Sequence, residues 1–189
     1  MAYTRLFGPA IEPVTEAYAR EHATLDSSLS TGLLTLYLKA SRATVEHALG
    51  RAVMLQTWEA TYDVFTDALK LTMPPVQSVV SVKYYDVNGS LQTIDPANYV
   101  LDDRTLPGWV VPAGTYSWPA TQDRINAVIV RFTCGWTDAG DVPDEIKHAI
   151  LIGAADAIDN RETVDRSGRL ATVPLWDGLL DRWRVHWSA

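Results

Sequence analysis

The sequence predicts an α+β fold: a helical core with an inserted antiparallel β-meander and a C-terminal helical arm. Three observations carry this. Apolar residues recur at helical spacing over 27–49 and 143–160. Between 53 and 134 the period shortens to two, with an Asn88-Gly89 turn signal inside it. After a polar stretch, Trp176, Leu179, Leu180, Trp183 and Trp187 stand at i, i+3, i+4, i+7 and i+11. The expected organisation is a body over 1–160, with helices at 12–22, 27–49 and 143–160 around a β-rich insertion at 53–134. A linker over 161–174 and a docking arm over 175–189 follow.

Each element has its own signal. Glu12–His22 reads as a short helix, with Pro13 in the first turn and Val14, Ala17, Tyr18 and His22 on one side. Asp26–Ser30 offers caps for a longer helix that stops at Gly50. This helix has two apolar faces, one of Leu29, Leu33, Leu36, Tyr37 and Ala40, the other of Leu34, Leu38, Val45 and Leu49. A helix apolar on two sides must cover two surfaces, and a small domain has one core, so the second surface is assigned to a neighbouring subunit.

Thr57–Val64 then alternates at strand period, and Lys70–Met73 is a short strand stopped by Pro74-Pro75. Val76, Ser78, Val80, Val82 and Tyr84 alternate again, and Leu91–Ile94 returns after Asn88-Gly89. Asn98–Leu101, Trp109–Val111 and Asn126–Cys134 are three further strands, with a Pro/Gly/Ser/Thr-rich loop over Pro112–Arg124 before the last. Asp141–Asn160 carries the clearest helical pattern. Acids stand in its first turn, and Ile146, Ala149, Ile150, Gly153, Ala154, Ala157 and Ile158 form one stripe whose small residues admit a close neighbour. The seam between subunits is assigned to Leu34, Leu38, Val45, Gly153, Ala154 and Ala157.

The chain has 189 residues and a net charge of −7. The first 160 residues carry 11 basic and 19 acidic side chains, whereas the rest carry five arginines and four acids. An acidic body argues against binding nucleic acid by phosphate neutralisation. No apolar run approaches the ~20 residues that span a bilayer, so no membrane partner is expected. A single cysteine, Cys134, forms no internal disulfide and reads as a small core residue.

Chemistry is sparse. Glu145 and His148 have the spacing of half a di-metal carboxylate site, but no second Glu-x-x-His accompanies them. His22, His47 and His186 lack paired ligand spacing, and Asp102-Asp103 reads as a solvated loop pair. No phosphate-cradling glycine loop or nucleophile elbow occurs. Catalytic, cofactor and metal sites are therefore expected to be absent. The terminal stripe, with Arg182 and Arg184 beside it, either docks on a partner or folds back on its own domain. Tyr116 and Trp118 either form a contact surface or pack under their own loop. Two other classes stay open: a regulatory module presenting its terminal helix, and an enzyme with a dispersed site.

The order of short pieces carries a resemblance. They are Val14-Thr15-Glu16-Ala17; Glu46-His47-Ala48-Leu49-Gly50-Arg51; Leu55-Gln56-Thr57-Trp58; Met73-Pro74-Pro75-Val76-Gln77-Ser78-Val79 before Lys83-Tyr84-Tyr85-Asp86 and Gly89; Asn126-Ala127-Val128; Cys134-Gly135-Trp136; Val142-Pro143-Asp144-Glu145-Ile146-Lys147-His148-Ala149-Ile150; Asn160-Arg161-Glu162; and Val173-Pro174 with Leu179-Leu180. In this order the chain resembles the head–tail connector (adaptor) proteins of tailed double-stranded DNA phages and gene-transfer particles. The resemblance implies a virion protein made in the host cytoplasm and placed in the neck, in a closed ring commonly of about twelve subunits. It also implies that the arm (Trp176, Leu179, Leu180, Arg182, Trp183, Arg184, Trp187) engages the portal. The opposite face would receive the next neck or stopper protein, and the Tyr116/Trp118 loop, if it is a contact surface, would touch that protein or a neighbouring subunit. DNA would pass through the channel without sequence-specific binding.

Overall fold

The computed structural model describes residues 1–23, 29–159 and 178–185. In chain order the elements are β1 (Ala2–Phe7), α1 (Glu16–His22), α2 (Thr31–Leu49), β2 (Gln56–Tyr62), β3 (Leu69–Leu71), β4 (Val76–Tyr85), β5 (Leu91–Ile94), β6 (Tyr99–Asp102), β7 (Gly108–Pro112), β8 (Val128–Cys134) and α3 (Asp144–Asp159). Short 3-10 turns lie at Pro96–Asn98 and Asp181–Trp183. Helices and antiparallel sheets are both present, so the class is α+β. The chain divides into two compact units: a sheet unit of Met1–Ala10 and Leu55–Trp136, and a helical unit of Ile11–Met54 and Thr137–Ala189.

The sheet unit holds a five-stranded antiparallel sheet in the order β1-β2-β8-β4-β5 and a three-stranded sheet in the order β3-β7-β6. Its centre is β8. Val128, Val130, Phe132 and Cys134 point to one buried face, as strict alternation requires. Tyr62, Ala60, Trp58 and Gln56 of β2 stand opposite them in register. On the other side β4 pairs with β8 through two bulges, between Val76 and Ser78 and between Val79 and Ser81. These break the simple alternation expected for β4, so Val82 is buried while Val80 is exposed. Gly108 of β7 lies against β4, where a Cβ would come within 2.9 Å of Val76 Cγ2. Strand β1 is an element the sequence reading missed. It pairs with β2 at the sheet edge, and Tyr3 Oη donates to the Lys70 carbonyl at 2.6 Å. Tyr62 Oη donates to the same carbonyl.

In the helical unit, α1 begins at Glu16 rather than at Glu12. Thr15 is the N-cap, accepting from Tyr18 N–H at 3.2 Å, while the Glu12 carboxylate turns to Arg42 instead. α2 begins after Ser30, which caps Leu33 N–H, rather than at 27. It ends as expected at Gly50, whose φ of 65° is left-handed. α3 packs on α2, and Ser41 Oγ donates to the Ile150 carbonyl at 2.8 Å. Ile146, Ala149, Ile150, Leu151 and Ala154 fill the interior from α3.

The burial of the two faces of α2 is the reverse of what the sequence suggested. Leu34, Leu38 and Val45, assigned to a subunit seam, are buried inside the chain's own helical core. The face of Leu33, Leu36, Tyr37 and Ala40 is the open one, with Leu36 59% exposed. The physical reason is a polar set on the inner face. Arg42 donates to Glu12 at 2.7 Å and to Glu46 at 2.8 Å, and Glu46 accepts the Val53 N–H at 2.9 Å. Ser41, Arg42 and Glu46 are buried because they satisfy one another and the backbone.

Candidate protein-interaction surfaces

The residues that raised the question of chemistry have structural partners. Among the described residues no group of three or more His, Cys, Asp or Glu is placed to hold a metal ion. Glu145 pairs with Arg182 at 3.4 Å, whereas His148 meets the His22 ring edge-on, with centroids 5.8 Å apart. Both histidines line an open groove of about 610 Å³ between α1 and α3, with Tyr18, Lys147 and Leu151. Lys147 is itself paired with Asp144 at 3.4 Å. Asp102 accepts from Arg104 N–H and Thr105 Oγ1, a turn-forming role. Cys134 is buried in the sheet core. No helix among the described residues is long and apolar enough to cross a membrane.

The terminal stripe is described for residues 178–185, which lie on the helical unit. Leu180 is fully buried, Arg51 Nε donates to the Trp183 carbonyl at 2.7 Å, and Val185 N–H donates to the Leu49 carbonyl at 2.9 Å. Leu179, Trp183 and Arg184 are half-buried and Arg182 is exposed, its guanidinium 5.0 Å from the Trp183 ring centre. Trp176 and Trp187, like the linker over 161–174, lie outside the described residues. In α3, Ala154 is buried and Gly153 and Ala157 are half-buried.

The sheet unit gathers three loops at one end. The turn after β4 is closed by Gly89 N–H to the Asp86 carbonyl and Asp86 N–H to the Ser90 carbonyl. The Asp86 carboxylate also takes Asn88 N–H, Ser90 N–H and the Gln92 amide. These donors, the Gln92 amide first, hold its pKa below the ordinary value. The loop before β8 is tied to this turn by Gln122 N–H to the Tyr85 carbonyl at 3.0 Å, and to the loop after β2 by Asn126 N–H to Asp63 Oδ1 at 2.8 Å. Trp118 stacks on Phe65, with ring centroids 4.7 Å apart and 7° between planes, and Tyr116 meets its edge. Phe65 in turn meets the edge of Tyr84. Desolvation first, then Tyr116 and Asp86, push the Tyr84 hydroxyl upward in pKa. Trp118 is therefore part of a ring stack with its own unit, and the three loops leave Val64, Val87 and Ile125 exposed. Sequence reasoning placed Val64 at the end of a strand, which in fact stops at Tyr62, and passed over Val87 and Ile125, because single aliphatics in loops carry no periodic signal.

The fold has solved counterparts. No protein-family model matches the sequence, and no curated protein is a significant match. One solved structure is a chain from the neck of an empty gene transfer agent (GTA) particle, computed with C6 symmetry. It matches with a TM-score of 0.80 and 20% identity, covering 100% of this chain and 98% of that one. The chain shares its fold with a component of gene-transfer-particle necks. The neck fold recurs in the virion of a native gene transfer agent particle, at TM-score 0.79 and 21% identity, again covering 100% and 98%. It recurs once more in the neck of a native GTA particle computed with C12 symmetry, at TM-score 0.72 and 20% identity over the same shares. At these identities the likeness to the neck fold is one of fold alone.

Proposed function

We propose that this chain is a non-enzymatic virion protein, a head–tail connector that forms a ring in the neck of a phage-like or gene-transfer particle. The observation that carries the reading is a fold shared from end to end with chains of particle structures, two of them necks computed with C6 and C12 symmetry. The ordered motifs of the sequence support the same assignment independently. In this reading the ring sits below the portal, receives the next neck or stopper protein on its other face, and lets DNA through its channel. The net charge of −7 suits that passage, since an acidic lining limits adhesion of phosphates. The portal is met through the terminal arm, in whose described part Arg182 is exposed and Leu179 and Trp183 are half-buried. The open face of α2, with Leu36 and Tyr37, is the part of that helix available to the next protomer.

The test is deletion of the gene in particle-producing cells, with a tagged copy supplied in trans. The expected result is heads without tails on deletion, and tailed particles carrying the tag on complementation. Tailed, functional particles from the deletion strain would overturn the proposal.

A further inference from the structure

We propose that the loop end of the sheet unit is a docking tip for a different protein, one presenting an apolar pocket rimmed by Lys and Arg. The inference rests on the connector reading and names the surface that takes the next tail-proximal protein. Val64, Val87 and Ile125 are 56%, 64% and 74% exposed, and each sits on a different one of the three laced loops. Exposed aliphatics on separate loops lose solvent contact together only against a partner. The loops are pre-organised for this. The Asn126–Asp63 bond sets a left-handed Asn126, φ 55°, directly after Ile125. The Phe65–Trp118 stack anchors the loop carrying Trp118 to the one carrying Val64. A surface held in place before binding loses little entropy on binding.

The occupant follows from charge. Asp63 ties two of the loops together and Asp86 closes the third, exposed Asp67 shares the loop of Val64 and exposed Asp123 the loop of Ile125, while Arg124 lies over the Tyr85 ring at 4.0 Å. The three exposed aliphatics thus share their loops with carboxylates. A tip-to-tip contact with a second copy would set these acids against each other on a chain already at −7. A basic rim is the complement, and such rims steer association and fix specificity.

The experiment complements the deletion strain with tagged wild type, with Val87→Asp/Ile125→Asp, and with the gentler Asp67→Lys/Asp123→Lys. Heads and tailed particles are then separated and counted. Because the positions are exposed, both variants are expected to keep the wild-type melting temperature, and either one that folds serves. The expected result is tagged protein retained on heads with at least a tenfold loss of tailed particles, and tail loss from wild-type particles in raised salt. Normal tailing by a folded variant overturns the tip. Loss of the variant from heads also overturns it, assigning the surface to contact between copies or with the portal. Absence of wild-type protein from heads is a separate result: it removes the connector reading, and this inference with it.

Discussion

Arg42 gives the sharpest test of what holds the helical unit together. Arg42 and Glu46 are 5% and 4% exposed, and Arg42 reaches Glu12 at 2.7 and 3.4 Å and Glu46 at 2.8 Å. Arg42→Met keeps the bulk of the side-chain stem but takes the guanidinium away from the buried Glu46 carboxylate. Breaking a buried pair from one side costs about 3–5 kcal/mol, much of it the uncompensated charge. That is a large share of the roughly 5–15 kcal/mol by which folded proteins are stable. Adding Glu46→Gln removes the buried negative charge and keeps an oxygen for the Val53 N–H. The double variant is therefore expected to lie within about 1–2 kcal/mol of wild type, since neutral replacements of buried pairs are often close to neutral. Glu12, nearer the surface, rehydrates when released. Urea unfolding followed by far-UV circular dichroism reads the helical unit. A loss below about 1 kcal/mol for the single variant would refute the argument. So would additivity of the two substitutions, because coupled groups must show an interaction term.

Three further outcomes are expected. Leu38→Ala should cost about 2–5 kcal/mol as a core truncation, while Leu36→Asp on the open face should change stability by no more than about 0.5 kcal/mol and reduce incorporation into particles; equal stability losses would contradict the assignment of faces. Leu180→Ala should destabilise the isolated protein by about 2–5 kcal/mol, and an unchanged urea midpoint would mean that residues 178–185 do not pack on the helical unit in solution. Burial first, then the neighbouring Tyr3, raises the Tyr62 pKa far above its ordinary 10.0. Above pH 10 the unfolded chain therefore releases this proton before the folded one, so stability is fully present below that pH and falls as pH rises. Tyr62→Phe should flatten the fall by about one proton, and an unchanged slope between pH 9 and 11 (roughly the onset of phenol ionisation) would refute the buried phenol.

The parts of the fold legible in the sequence were those where local chemistry and tertiary packing agree. Gly50 ends α2 because only a left-handed residue fits there, and the alternation of β8 survives because that strand lies in mid-sheet with one buried face. β1 was illegible because an edge strand need not alternate; Thr4 and Arg5 read as polar, and its anchor is a tyrosine reaching the Lys70 carbonyl 67 residues away. The bulges of β4 were hidden for a similar reason, since they are set by partner register rather than by composition. The inner face of α2 was misjudged because Ser41, Arg42 and Glu46 look like solvent residues until Glu12 and Ile150 are brought to them. For the candidate surfaces, the sequence drew attention to large aromatics. The fold turns Trp118 into a stacking partner and leaves smaller aliphatics on display.

The interleaving of the two units has a consequence for biosynthesis. β8, the middle strand of the five-stranded sheet, is the last of its strands to be made, after β1–β2 and β4–β5. Until it emerges from the ribosome, the β1–β2 pair and the β4–β5 hairpin wait with their inner edges unpaired. The helical unit waits longer still. Ser41 meets Ile150 across 109 residues, and Arg51 meets Trp183 across 132. Such distant closures fold slowly and expose apolar surface meanwhile. A nascent chain stalled before residue 128 would carry four strands of this sheet and no centre. Truncated products of this gene are therefore expected to be substrates for chaperones and proteases rather than soluble fragments, and the helical unit cannot be obtained by cutting the chain once.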